Sequence, residues 1–231
     1  MRSSGSIFLK VFLWQVLALF SGSLFAQYQQ RFERLTSNSG LSQNTVVKII
    51  QDKKGFLWFA TADGLSRYDG YNFKVFKSDP SNPKSLSGSD IFSVAEDEQG
   101  NLWVGTRGAG LNKIISKTGE IIRLGKGYNG ADWSNLSVSS IASLGGNKIC
   151  VAYPELGTIV YDILSNQVIA EESYIKDANV KNVARVIKHS NGSVWVGTTD
   201  GRLIALIGKK SSIPFDLGPN KTKLGFRIRV I

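Results

Sequence analysis

The sequence contains few of the residues that usually supply cross-links, metal ligands or catalytic groups. Its 231 residues include one cysteine, one histidine and one methionine. A single cysteine excludes a disulfide within the chain, and the lone histidine excludes sites built from several histidines. His189 stands in the polar turn KHSNG without a nucleophile nearby in the sequence, so we interpret it as a solvated loop residue. We therefore predict no catalytic residue, no metal site and no cofactor in this chain.

A short phrase centred on tryptophan recurs along the chain. It reads GFLWFATADG from Gly55, NLWVGTRGAG from Asn101 and SVWVGTTDG from Ser193, and a variant with cysteine in the tryptophan position lies between the last two. The four marker positions are Trp58, Trp103, Cys150 and Trp195. They are separated by 45, 47 and 45 residues, a period typical of proteins that repeat one small supersecondary unit.

Each repeat has the pattern of β-strands. A short run rich in β-branched residues precedes the marker, a polar turn such as DKKG or DEQG ends in glycine, and a second glycine follows the marker and opens a third strand. The pattern predicts an all-β fold, a partial β-propeller of about four four-stranded antiparallel blades plus the start of a fifth. The predicted blades cover about 44–80, 90–130, 138–175 and 181–215, with a partial blade at 222–231.

The marker tryptophans are predicted to be structural. Trp58, Trp103 and Trp195 share one register, so we expect each indole to be an apolar plate between neighbouring blades. Cys150 takes this position in the third blade, and we interpret it as a small buried hydrophobic residue. The seam beside the third blade should therefore be the weakest.

The first 26 residues have the layout of a secretory signal peptide. Arg2 and Lys10 precede an uncharged apolar run from Val11 to Phe20, and small residues lead to Ala26. We expect residues 1–26 to direct export to the periplasm and residues 27–231 to form the incomplete propeller, with a retained membrane anchor as the alternative. Because propellers close with about 4 to 8 blades, we expect the chain to be the N-terminal part of a longer polypeptide.

The repeats resemble a known family. The stretch GLSQNTVVKIIQDKKGFLWFATADGLSRYDGYNFKVF, from Gly40 to Phe76, is similar to the two-component regulator propellers, and DEQGNLWVGTRGAGLNKI and NGSVWVGTTDGRLIAL match the same repeat. The third repeat departs from it, with Cys150 for tryptophan and Ala152-Tyr153 for the usual Gly-Thr. The resemblance implies the periplasmic sensor region of a hybrid two-component histidine kinase, whose membrane helix, kinase and downstream signalling domains would lie outside this chain.

The positive charge is concentrated near the C-terminus. The formal net charge is +10, of which +8 lies between Lys176 and Ile231. This excess could attract an anionic glycan fragment, but we favour the interpretation that the lysines are solvated and lie at strand ends. Expected export and the lack of a recognition motif argue against nucleic acid as a partner.

Ligand contacts are expected in the loops that follow the marker strand, because rigid scaffolds present variable residues there. The candidates are Asp63, Arg67, Arg107 and Tyr153. Arg107 could bind a carboxylate or sulfate, and Tyr153 could stack on a sugar. The expected partners are an oligosaccharide or another small ligand, together with further propeller blades and signalling domains.

Two functions are consistent with these features. The preferred one is an extracytoplasmic sensor propeller that binds a ligand, for which a glycan fragment is one candidate, and biases a downstream histidine kinase. The alternative is a free-standing scaffold or ligand-binding propeller, or a non-catalytic module of a glycan-active enzyme.

Overall fold

The computed structural model describes residues 32–126, 130–169, 182–190, 192–207 and 210–215, together with Phe12, Trp14 and Gln15. Most of the predicted signal peptide and the partial blade at 222–231 lie outside the described residues. The predicted domain boundaries therefore stay predictions.

The described chain forms four sheets from fifteen strands. The first sheet contains β1 (Val46–Gln51), β2 (Leu57–Thr61), β3 (Gly64–Tyr68) and β4 (Phe73–Phe76). The second contains β5 (Ile91–Glu96), β6 (Leu102–Thr106), β7 (Leu111–Ile114) and β8 (Ile121–Leu124). The third contains β9 (Ser140–Gly145), β10 (Lys148–Tyr153) and β11 (Gly157–Asp162). The fourth contains β12 (Val183–Lys188), β13 (Val194–Thr198), β14 (Leu203–Ile207) and β15 (Lys210–Phe215).

Strands that follow one another in sequence are antiparallel neighbours in each sheet. This simple order arises because each turn is short and reverses the chain. It confirms the predicted all-β fold of successive four-stranded blades. A 3₁₀ turn at Ser37–Ser39 precedes the first blade.

The third sheet differs from the predicted four strands. It has three strands in the described residues, and one isolated bridge joins Tyr161 to Val168 where a fourth strand would begin. Asp162 accepts hydrogen bonds from the backbone amides of Leu164 and Ser165, which forms a tight turn directly after β11. In the described residues, the returning segment bonds β11 through the Asp162 amide to the Gln167 carbonyl and the Ile169 amide to the Val160 carbonyl.

Hydrophobic clusters fill the seams between consecutive blades. Trp58 of the first blade packs in one cluster with Val94 and Val104 of the second. Trp103 of the second blade packs with residues of the third, and its ring centroid lies 5.9 Å from that of Tyr161. The marker tryptophans of the first and second blades therefore each pack against the blade that follows.

The third seam is built from smaller side chains. Cys150 belongs to a cluster with Val186 and Val196 of the fourth blade, and its side chain is buried. Burial raises the pKa of the Cys150 thiol to about 12, as expected for an inert apolar cysteine. That this seam is the weakest stays a prediction.

Aspartates tie the hairpin turns to the marker indoles. Asp52 accepts hydrogen bonds from the amides of Lys54 and Phe56 with one oxygen, and from Trp58 Nε1 with the other at 2.7 Å. Asp97 bonds Trp103 Nε1 in the same way at 2.9 Å. One carboxylate thus closes the turn and fixes the indole plane.

The fourth blade replaces this link. His189 takes the position of the aspartate, and Trp195 Nε1 donates instead to Ser193 Oγ at 2.9 Å. Trp195 is also less buried among the described residues than the other two marker tryptophans.

The first strands of the four sheets, β1, β5, β9 and β12, are neighbours in consecutive blades. Three of them contain a β-bulge near their start, between Val46 and Lys48, Ile91 and Ser93, and Val183 and Arg185. Such bulges redirect side chains at the end of a strand. We call this end of the blades the loop end, because the turns after β2, β6, β10 and β13 lie there, together with the connection from β4 to β5.

Candidate functional site

Two arginines from different blades lie against one phenylalanine at the loop end. The Arg107 guanidinium carbon is 4.8 Å from the centroid of the Phe92 ring, and the Arg185 carbon is 5.7 Å from it. Phe92 is the bulged residue of β5 in the second blade, Arg107 follows β6 of the same blade, and Arg185 lies in β12 of the fourth. The ring therefore holds two cations close together through cation–π contacts.

Each arginine is also anchored by an oxygen. Arg107 Nε lies 3.2 Å from Asp90 Oδ2, and the Arg107 amide donates to the Asp90 carbonyl at 2.9 Å. Arg185 Nη1 donates to the carbonyl of Ser139, at the start of the third blade, at 3.4 Å. The cluster thus contains residues from three consecutive blades.

Asp90 supplies the negative charge of the cluster. One of its oxygens pairs with Arg107, while the other, Oδ1, is buried without a hydrogen-bond partner in the described residues. Since a buried polar atom without a partner is costly, this oxygen stands where a bound group could donate a hydrogen bond.

Lys48 adds a third cation from the first blade. It has the same register as Arg185, because Lys48 pairs with Ala60 and Arg185 pairs with Gly197 at equivalent points of their blades. Burial, followed by repulsion from Arg185, lowers the pKa of Lys48 to about 8.

The charged groups around Lys48 explain why it lacks compensation. No other ionisable side chain lies on β1 or β2, and Glu96 of the neighbouring β5 accepts hydrogen bonds from the Lys53 amide. Within the described ranges, no hydrogen bond or ion pair is formed by the Lys48 ammonium group. A partly buried ammonium group without a counter-ion is unusual in a folded protein.

Of the four sequence-predicted ligand residues, Arg107 alone belongs to this cluster. Asp63 lies at the loop end of the first blade and forms an ion pair with Lys77 at 2.6 Å, with both side chains about half exposed. Arg67 lies within β3, opposite Trp58, and its guanidinium carbon is 4.4 Å from the Phe56 ring centroid. The structure does not bring Asp63 and Arg67 to the Phe92 cluster by any contact among the described residues.

Tyr153 lies in the core. Its side chain is fully buried, its hydroxyl is 3.1 Å from that of Tyr161, and its ring packs 5.6 Å from Trp133. It occupies the position that Thr61 and Thr106 take in other blades, where the threonine hydroxyl bonds a carbonyl across the turn. Because the ring has no exposed face for a sugar, we propose no ligand role for Tyr153.

Sequence reasoning missed Lys48, Phe92 and Arg185. The repeat itself carried a signal, since aligning the first strands places Lys48, Ser93, Ser140 and Arg185 at one position. Two of these four residues are cations, and each stands between two apolar residues in its strand. Lys48 and Arg185 are far apart in sequence. Their strands come near one another because the first strands of consecutive blades lie side by side.

The described part of the chain contains no group of three or more histidine, cysteine, aspartate or glutamate residues placed to hold a metal ion. Searching the same part for a membrane-spanning helix finds none with the required length and apolar character.

Comparison with known proteins identifies the repeat. Residues 40–63 and 85–108, which hold β1 with β2 and β5 with β6, match the model of the two-component regulator propeller family. A protein named as a histidine kinase from Formosa agariphila is 45% identical over 56 residues, which cover 24% of this chain and 4% of that protein.

Solved structures agree on the fold. The extracellular domain of a protein named as a hybrid two-component system from B. thetaiotaomicron superposes with a TM-score of 0.68 at 27% identity, over 82% of this chain and 27% of that one. The extracellular domain of a second B. thetaiotaomicron protein, named as a one-component system, has a TM-score of 0.66 at 17% identity, over 84% of this chain and 29% of that one. The chain thus spans less than a third of the length of these relatives. Residues 40–63 and 85–108 match the two-component regulator propeller repeat, and the blades that carry them form a β-propeller fold similar to the extracellular domain of a hybrid two-component system.

Proposed function

We propose that this chain is part of the extracytoplasmic sensor propeller of a two-component signalling receptor. In this role it is exported, binds a small ligand at the loop end of its blades, and biases the activity of a histidine kinase. The kinase activity belongs to other domains of the receptor, and the propeller contributes recognition.

The observation that carries this proposal is the match of two blades to the two-component regulator propeller repeat. The 27% identity to the extracellular domain of a hybrid two-component system supports it, because it extends over most of the chain. The apolar run after Arg2 and Lys10 supports export.

The geometry of the loop end supplies a mechanism for signalling. A ligand changes the output of a receptor only through unequal affinity for two of its arrangements. Arg107 lies in the second blade, and Arg185 of the fourth blade bonds Ser139 beside the third. A ligand that contacts both arginines would therefore favour one relative placement of these blades over others.

The test is the coding sequence that follows Ile231 in the genome of the source organism. We expect further propeller repeats, a membrane-spanning segment and a histidine kinase domain. A stop codon at this point, or a hydrolase domain without a kinase, would contradict the sensor role and favour a free-standing propeller or a module of a glycan-active enzyme.

A further inference from the structure

We propose that the cluster of Lys48, Asp90, Phe92, Arg107 and Arg185, here called the anion cluster, binds one oxyanion group of a small ligand, a carboxylate or a sulfate, through its cationic side chains. This inference deepens the proposed function, because it names the chemical class of the ligand that the sensor would recognise. The binding step itself can be measured without any signalling.

The charges of the anion cluster do not balance. Arg107 and Arg185 both contact the Phe92 ring, and Lys48 takes the register position of Arg185 on β1. The one carboxylate, Asp90, pairs with Arg107. Lys48 and Arg185 repel one another and have no counter-ion among the described residues. An incoming anion would relieve this repulsion, which is why the cluster favours a negatively charged ligand.

The guanidinium groups of Arg107 and Arg185 have unused hydrogen-bond donors. A guanidinium group carries five N–H donors in a planar fork. In the described residues, the side chain of Arg107 uses Nε toward Asp90, and that of Arg185 uses Nη1 toward Ser139. The remaining donors can form the paired hydrogen bonds that carboxylate and sulfate groups accept.

The guanidinium groups of the anion cluster are held in place by the Phe92 ring and by the strands that carry them. Phe92 and Arg185 are partly buried, both lie on bulged first strands, and the Phe92 ring contacts both guanidinium groups. Cations held in place lose little conformational entropy when a ligand binds. With the ring occupied by guanidinium groups, recognition depends on the anionic group and not on stacking of a sugar against Phe92.

The experiment is isothermal titration calorimetry on the full chain at pH 7 and constant ionic strength. The probes are sodium glucuronate for a carboxylate, sodium sulfate for a sulfate, and glucose as the neutral counterpart of glucuronate. We expect glucuronate or sulfate to bind and glucose not to bind. Stronger binding of glucuronate would identify a carboxylate as the recognised group, and stronger binding of sulfate would identify a sulfate.

Arg107→Gln and Arg185→Gln remove one cation each, and each should weaken binding about tenfold. Arg202→Gln is the matched control. Arg202 also pairs through Nε with an aspartate, Asp200, at 3.0 Å, and it lies at the loop end of the fourth blade without a contact to Phe92. This control should bind like the parent chain.

Thermal unfolding followed by circular dichroism establishes that each variant is folded, and Arg185→Lys, which keeps the charge, should retain more affinity than Arg185→Gln. Equal affinity of Arg107→Gln, Arg185→Gln and Arg202→Gln, or no binding of either anion, would overturn the site. If the chain binds an anion at this cluster but its gene encodes no kinase, the proposed site stands and the sensor role is overturned.

Discussion

Replacing Trp103 tests whether the marker indoles stabilise the seams between blades. The side chain is fully buried, packs against Tyr161 at 5.9 Å, and donates Nε1–H to Asp97 Oδ2 at 2.9 Å. Large-to-small substitution of a buried tryptophan costs about 3 to 5 kcal/mol of unfolding free energy. Since Trp103→Ala also removes a hydrogen bond to a buried carboxylate, we expect a loss near the top of that range, about 5 kcal/mol.

The milder substitution Trp103→Phe separates packing from hydrogen bonding. Phenylalanine keeps an aromatic plate but cannot donate to Asp97, so the expected loss is about 2 to 3 kcal/mol. In a double-mutant cycle with Asp97→Ala, the coupling energy should be about 1 to 2 kcal/mol, because both single changes remove the same hydrogen bond.

The assay is urea unfolding at 25 °C followed by far-ultraviolet circular dichroism, which does not depend on tryptophan fluorescence. Leu164→Ala is the control, because the Leu164 side chain is 65% exposed and its loss should cost less than about 0.5 kcal/mol. A loss below about 1 kcal/mol for Trp103→Ala, or no coupling to Asp97, would refute the structural role of the marker indole.

Three further predictions concern the core and one buried amine. Gly105→Ala should lower the free energy of unfolding by about 1 to 3 kcal/mol in the same urea assay, because a Cβ there would lie 2.4 Å from Val138 Cγ1; an unchanged midpoint would contradict this packing. Cys150 should not react with a thiol reagent at pH 8 until the chain is unfolded, since burial raises its pKa to about 12; rapid labelling of the folded chain would show that the thiol is accessible. The pKa of Lys48, about 8, lies below the ordinary value of 10.5, so the folded state releases its proton first and the free energy of unfolding should rise between about pH 8 and pH 10.5, by on the order of 2 kcal/mol. Lys48→Met should remove this rise, and a parent and variant with parallel pH profiles would contradict the lowered pKa.

The fold could be predicted because the same pattern of strands and turns recurs in successive repeats. Marker residues, turn glycines and short β-branched runs recur with a nearly constant period, so local pattern and blade architecture agree. The strands at Val46–Gln51 and Leu57–Thr61 fall where the first repeat predicts them. The three-stranded third sheet of the described residues could not be predicted in detail, because the turn at Asp162 does not change the spacing of the markers.

The structural roles of three residues depended on context that the repeat hides. Asp52 and Asp97 look like ordinary turn residues in the sequence, yet each also accepts a hydrogen bond from a marker indole six residues later. The sequence places Tyr153 beside the loop after the marker strand, at the position that threonine takes in the other three blades. Trp133, from the connection between blades, covers its ring and keeps it from solvent.

The candidate site was predicted only through Arg107. Its other members are far apart in sequence, and their proximity arises because the first strands of successive blades lie side by side. The distribution of charge placed the excess in the last quarter of the chain, where Arg185 lies, but gave no signal for Lys48 and Arg107, which lie in the electrically neutral part of the sequence. Aligning the strands by register recovers Lys48 and Arg185, whereas Phe92 becomes visible only when the bulge in β5 is known.

The most direct test of the sensor function is phosphorylation of the receptor kinase in membrane vesicles, with sodium glucuronate or sodium sulfate added on the propeller side. The parent receptor and Arg202→Gln should change their rate of phosphate incorporation when the bound anion is added, while Arg107→Gln and Arg185→Gln should respond only at about tenfold higher concentration. An identical response from all four receptors, or none from the parent, would contradict sensing through the loop end of this propeller.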